Sequence, residues 1–157
     1  MIKIYEKYLL FNRQIMTVKL ANKIKNLIND IYPEYKTEIR TNKGVIWINI
    51  KRALQLPGFY ANSTTTSSIQ RTTIFSLENC YKEIDFTIYS TMREKFPELF
   101  EFFKKVFEID NIPAGVYPAG RSHHYLKKLE TEKIPEYIEK LTKDNYELFI
   151  NTTKYNL

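Results

Sequence analysis

Two carboxylates separated by one apolar residue, Glu83-Ile84-Asp85, are the residues of this sequence best suited to chemistry. They stand in the run Tyr81-Lys82-Glu83-Ile84-Asp85-Phe86-Thr87-Ile88-Tyr89, whose alternation predicts a strand. On a strand, residues i and i+2 share a face, so the two acids sit side by side while Ile84, Phe86 and Ile88 face a core. Like charges held that close repel, and a cation between them relieves the repulsion. Hard divalent ions such as Mg²⁺ or Mn²⁺ prefer carboxylate oxygens. Such an ion polarises a phosphoryl oxygen or supplies hydroxide for attack on a phosphodiester. Glu83 and Asp85 are therefore the candidate metal ligands and catalytic carboxylates. The competing reading is a solvated strand face carrying ordinary acids.

The rest of a phosphodiester site would be basic and hydroxyl-rich. Lys51 and Arg52 end a predicted hairpin strand, and Arg71 follows the segment Asn62-Ser63-Thr64-Thr65-Thr66-Ser67-Ser68. This stretch, about 56–73, has no periodicity and predicts a long loop, a usual place for function. Lys51, Arg52, Ser68, Arg71 and Arg121 are candidate contacts for substrate phosphates. Adjacent His123 and His124 bring an imidazole, and His124 is the candidate for proton transfer. The alternative for a histidine pair is a surface turn. Gly115 through Ser122 has the glycine spacing of a phosphate-binding P-loop, with Arg121 in the lysine position. Pro118 removes an amide the cradle would use, and no strong strand precedes it, so the spacing is read as chance. Asn49-Ile50-Lys51 has the spacing of the acid-x-Lys strand of restriction-like nucleases, but the acid is an asparagine.

Three resemblances bear on these residues. Glu83, Ile84, Asp85 and Phe86 match the acid-hydrophobic-acid-hydrophobic strand of the nucleotidyltransferase superfamily. That family's upstream Gly-Ser turn has Ser67-Ser68 as its nearest counterpart here, without the glycine. The order acid-x-acid strand, helix, then Ser122-His123-His124 resembles the archaeo-eukaryotic primases, with Asp144 available as a later third acid. In size and in its Lys/Ile/Tyr-rich style the chain resembles the orphan proteins of filamentous (lipothrixvirus-like) viruses of hot-spring archaea. These include a small nuclease of distorted nucleotidyltransferase-like topology. The first two resemblances imply triphosphate chemistry at the strand acids. The third implies DNA cleavage with one strand acid essential, Glu83 being the position chosen.

The elements that must position these residues follow from periodicity. Leu20, Ile24, Leu27, Ile28 and Ile31 predict a helix over 16–31, ended by Pro33. Residues 35–52 predict a hairpin turning at Asn42-Lys43-Gly44. A helix is expected over 94–108, with Pro97 in its first turn and Leu99, Phe100, Phe103, Val106 and Phe107 as its core stripe. Residues 112–118 predict a short extended piece, 121–130 a short helix, and 133–143 a clearer one. The segment 145–153 fits either a strand or a helix.

The totals bound the class. A chain of 157 residues fits a single domain (1–157) able to bury a core without staples. One cysteine, Cys80, excludes an internal disulfide and fits a reducing compartment. That cysteine and two histidines make no four-ligand zinc site unless carboxylates join them. The opening MIKIYEKYLLFNRQ, broken by Glu6 and Lys7, does not read as a signal peptide, and no apolar run is long enough to span a membrane. An intracellular location is therefore expected. A net charge of +6 favours a polyanionic partner, DNA first.

The expectation is an α+β domain with a small, mainly antiparallel sheet flanked by helices, remotely nucleotidyltransferase-like, with helices 16–31 and 94–108 on its apolar face. Its leading function is DNA cleavage by a metal-dependent nuclease. A nucleotidyltransferase or primase-like enzyme using the same acids, and a non-enzymatic basic DNA-binding viral protein, are the alternatives.

Overall fold

A computed structural model describes residues 2–53, 69–80, 83–109, 115–116 and 123–155. Among these, α1 (Ile2–Ile31) opens the chain and starts well before the periodic segment that predicted it. Its second half buries Leu20, Ala21, Ile24, Leu27 and Ile28, the spacing of one helix face. The hairpin of β1 (Lys36–Asn42) and β2 (Val45–Ala53) turns through Lys43 (φ 48°) and Gly44 (φ 82°). Positive φ at both turn residues matches the right-handed twist of the strands, and glycine takes the second position without strain.

β3 (Ile69–Asn79), β4 (Ile84–Ile88) and β6 (His123–Leu129) continue an antiparallel sheet, with the two-residue β5 (Gly115–Val116) at its edge. The strand order is β1-β2-β3-β4-β6-β5. The fold is therefore α+β, as expected, with helices flanking a mainly antiparallel sheet.

Three local expectations are corrected. Residues 69–73, assigned to the Ser/Thr-rich loop, belong to β3. A bulge opposite Ile48/Asn49 inserts Ile74 into β3, and Ile74, Phe75, Ser76 and Leu77 are all buried. The insertion erases the alternation that would have marked a strand. Within the helix expected over 121–130, residues 123–129 instead form β6. Its core-side position Lys127, at the sheet margin, donates to the Glu108 carbonyl (3.3 Å), so a lysine stands where a period-two pattern needs an apolar residue. The helix expected over 94–108 is two helices, α2 (Ser90–Lys95) and α3 (Pro97–Val106), parted at Phe96 (φ −133°, ψ 64°). A residue before proline is driven out of the helical region, so Pro97 ends one helix as it begins the next. α4 (Ile134–Lys140) follows a 3-10 turn, and α5 (Lys143–Tyr155) resolves the unassigned segment as helix.

The core lies between the helices and one sheet face. Ile46, Ile48, Ile50, Phe75, Leu77, Ile84, Phe86, Ile88, Tyr125 and Leu129 point into it, against residues of α1 through α5. The other face holds the polar members of the same strands. Among the described residues, no helix is long and apolar enough to cross a membrane.

Candidate functional site

Strand register sorts the polar face into rows. One row crosses the sheet as Asn42, Val45, Glu78, Asp85 and Lys128. The next runs Arg40, Trp47, Ser76, Thr87 and Leu126. A third has Glu38, Asn49 and Thr73, and a fourth aligns Lys36, Lys51 and Arg71.

In the first row Asp85 faces Glu78 rather than Glu83. Cross-strand like charges destabilise a sheet unless something offsets them. Cys80 stands beside the pair: its thiol donates to Asp85 Oδ2 (3.2 Å). Ligand atoms of Glu78, Cys80 and Asp85 all lie within 4.8 Å of one another. The other carboxylate oxygen, Asp85 Oδ1, is buried and has no hydrogen-bond partner. A buried, unsatisfied carboxylate oxygen is costly, and a cation is one group that would satisfy it.

The frame around the cluster is firm. Cys80 N–H donates to the Glu83 carbonyl (2.9 Å), closing the β3–β4 connection. Arg13 Nη1 donates to the Cys80 carbonyl (2.6 Å), and buried Thr17 Oγ1 donates to Asn79 Oδ1 (2.9 Å), tying this corner to α1.

The hydrogen bond to Asp85, then burial, then the negative charges of Asp85 and Glu78 push the Cys80 thiol up to about 11. Asp85→Asn should therefore bring the thiol down toward the ordinary cysteine value of about 8.5. Thiolate absorbance followed against pH reads this directly, and an unchanged titration would assign the shift to burial.

The sequence-predicted residues are only partly brought together. Glu83 lies just before β4 and meets Lys128 Nζ at 3.7 Å, both side chains being largely solvated (44 % and 65 % exposed). A lysine thus already stands beside Glu83, although so exposed a pair contributes little to stability. Lys51 is paired with Glu38 at 2.7 Å. Arg52 lies opposite Gln70, and Arg71 opposite Lys51; their side chains, like all of Ser68 and Arg121, fall outside the described residues, as does the segment 54–68.

His124 shares the polar face with Asp85 but not its neighbourhood. Tyr125 pairs with Ile88, which sets His124 beside Tyr89, their rings 4.5 Å apart. Tyr89 lies four residues beyond Asp85, roughly 13 Å along the strand. No direct proton transfer between His124 and a phosphate held at Asp85 fits that spacing.

His124 has a visible structural task. Its Nδ1 accepts from the Ser90 N–H (3.2 Å) at the start of α2, whose own N-cap, Tyr89, supplies no side-chain cap. Burial lowers the His124 pKa below its usual value. Folding therefore favours the neutral ring, and the unfolded chain binds the proton first as pH falls. This contribution is complete above about 6.5, and is lost as pH falls from there through the lower folded value. Urea denaturation between pH 7.5 and 5 should show the decline, and His124→Gln should flatten that part of the profile.

Sequence reasoning missed Glu78 and Cys80. The signal was present: Glu78 stands seven residues before Asp85, the separation that a short β-connection closes into a cross-strand pair. It was hidden because β3 itself was not recognised. The chain matches no protein-family model, no curated protein and no solved structure.

Proposed function

We propose that this protein is a divalent-metal-dependent nuclease acting on DNA, with Asp85 as the central carboxylate, Glu78 as its partner across the strands and Cys80 at the rim. The observation that carries the proposal is the Asp85 carboxylate: its Oδ1 is buried without a partner, and the residue clusters with Glu78 and Cys80, their ligand atoms within 4.8 Å of one another. The donor set fits a cation through its two carboxylates. Mg²⁺ suits those oxygens completed by water, and Mn²⁺ also tolerates the neighbouring sulfur. When bound, such an ion supplies Lewis-acid activation of a phosphoryl oxygen and of water. Asp85 and Glu78 hold the charge, and Lys128, opposite Asp85, offers a phosphate a cation on the adjacent strand.

Charge and register support DNA as the partner. A net charge of +6 favours a polyanion. β2 leads from the acid row at Val45 to the basic row of Lys36, Lys51 and Arg71, a length of roughly 20 Å. That length matches about six phosphates of one strand.

Linear double-stranded DNA incubated with Mg²⁺, Mn²⁺ or chelator tests the proposal. Loss of full-length DNA only with metal is the expected outcome. Intact DNA, retained in a salt-sensitive complex that ignores chelator, overturns it in favour of a non-enzymatic binding protein. Metal-dependent incorporation of nucleoside triphosphates, without cleavage, would move the same acids to a nucleotidyltransferase or primase-like reaction.

A further inference from the structure

The helical layer holds a second feature, away from the acidic corner. A cavity of about 330 Å³ opens where α3, α5 and the end of α4 meet. Phe102, Val106, Leu148 and Phe149 form its apolar wall, and Lys105 and Lys140 stand among its lining residues. Its volume is at the lower end of small-molecule sites, and its pairing of apolar wall with a few polar groups is typical of them.

The space has a local cause. Along α5, Tyr146 and Phe149 pack their rings on Phe102 at 5.5 and 5.6 Å. The next position on that helical line is Thr152, whose short side chain does not fill the volume that a third ring would occupy. The apolar seam is complete for two turns and then stops.

Charge decides what fits. Among the described residues no acidic one lines the cavity, whereas two lysines do. Lys105 Nζ lies 5.4 Å from the centroid of the Phe149 ring, which holds the ammonium by cation–π attraction. Lys140 bonds Glu136 at 2.9 Å; that pair is exposed and exchangeable with another anion. The Lys140 carbonyl, at the negative end of α4, accepts from Asn145 Nδ2 (3.2 Å), so this carbonyl does not turn toward an incoming anion.

We propose that this cavity binds a small amphipathic anion, an apolar chain ending in one carboxylate or phosphate, with the chain against Phe102 and Phe149 and the head between Lys105 and Lys140. The site is independent of the acidic cluster and of any nuclease activity. Decanoate, decyl phosphate and decanol, titrated below their micelle concentrations and followed by amide chemical shifts, test it. Both anions should give saturable shifts confined to residues around 102–106 and 140–152. They should bind about tenfold more tightly than decanol, the gain expected from one charge-assisted contact. The tighter of the two anions identifies the head group.

Lys105→Gln and Lys140→Gln, both at accessible side chains, should weaken the anions and leave decanol unchanged. Thr152→Phe should abolish binding of all three, its melting temperature confirming the fold. Equal affinity for decanol and decanoate, binding that survives Thr152→Phe, or no saturable shift would each overturn the proposal.

Discussion

Asp85→Asn is expected to lower metal-dependent DNA cleavage by about 100-fold or more, the scale of losing a group that stabilises transition-state charge. Glu83→Ala is expected to leave cleavage within about threefold, as for a solvated ion pair. Both acids stand on one short segment, yet their surroundings differ. Glu83 is half-solvated and faces Lys128. Asp85 keeps one oxygen buried without a donor and shares its corner with Glu78 and Cys80. The asparagine is isosteric, retains an acceptor for the Cys80 thiol, and relieves the repulsion with Glu78. Folding should survive, and a loss of cleavage then reports on chemistry. Glu78→Gln should reproduce much of the defect if the two carboxylates act together. Loss in both Asp85→Asn and Glu83→Ala, with Glu78→Gln unaffected, would return the site to the strand pair 83/85 and exclude the cross-strand cluster. Loss in neither would separate cleavage from this corner of the sheet.

The contrast between these two acids also marks how far the sequence could be read. Alternation in β4 was strong enough to put Asp85 on the polar face and Ile84, Phe86 and Ile88 in the core, and all three are fully buried. The 3.6-residue stripe of α1 and the glycine turn of the first hairpin were equally legible, because each depends on local geometry alone. Which residue faces Asp85 depends on a neighbouring strand, and β3 hides its period behind the bulge at Ile74. The seven-residue spacing permits the Glu78 partnership, but only the register assigns it. Likewise the sequence order of Glu83, Asp85 and His124 suggested one site, whereas β6 runs antiparallel to β4 and places His124 near the far end of that strand. Short-range pattern carries the elements; cross-strand register carries the site.

The polar corner depends on a core whose sensitivity is measurable, and Phe103→Ala should be among its most damaging substitutions, costing about 3–5 kcal/mol. Phe103 is fully buried on α3. Its ring meets Phe75 of β3 edge-on at 4.7 Å and stacks with Phe107 at 6.0 Å. Phe75 in turn stacks on Phe86 of β4 at 5.5 Å, and Phe107 lies against Phe86 at 4.4 Å. The four rings close a circuit between α3 and the two strands that carry Glu78 and Asp85. Truncating one member removes its transfer free energy, leaves a cavity, and breaks two ring contacts at once. Leu148→Ala, at a side chain 65 % exposed, should cost less than about 1 kcal/mol on the same scale. Urea denaturation of both variants reads the difference as a shift in midpoint at constant slope. Because Phe75 and Phe86 alternate with the polar face, the loss should propagate to the register. Thiol accessibility at Cys80 should therefore rise in Phe103→Ala at urea concentrations where the wild-type corner is still closed, while Leu148→Ala leaves it protected.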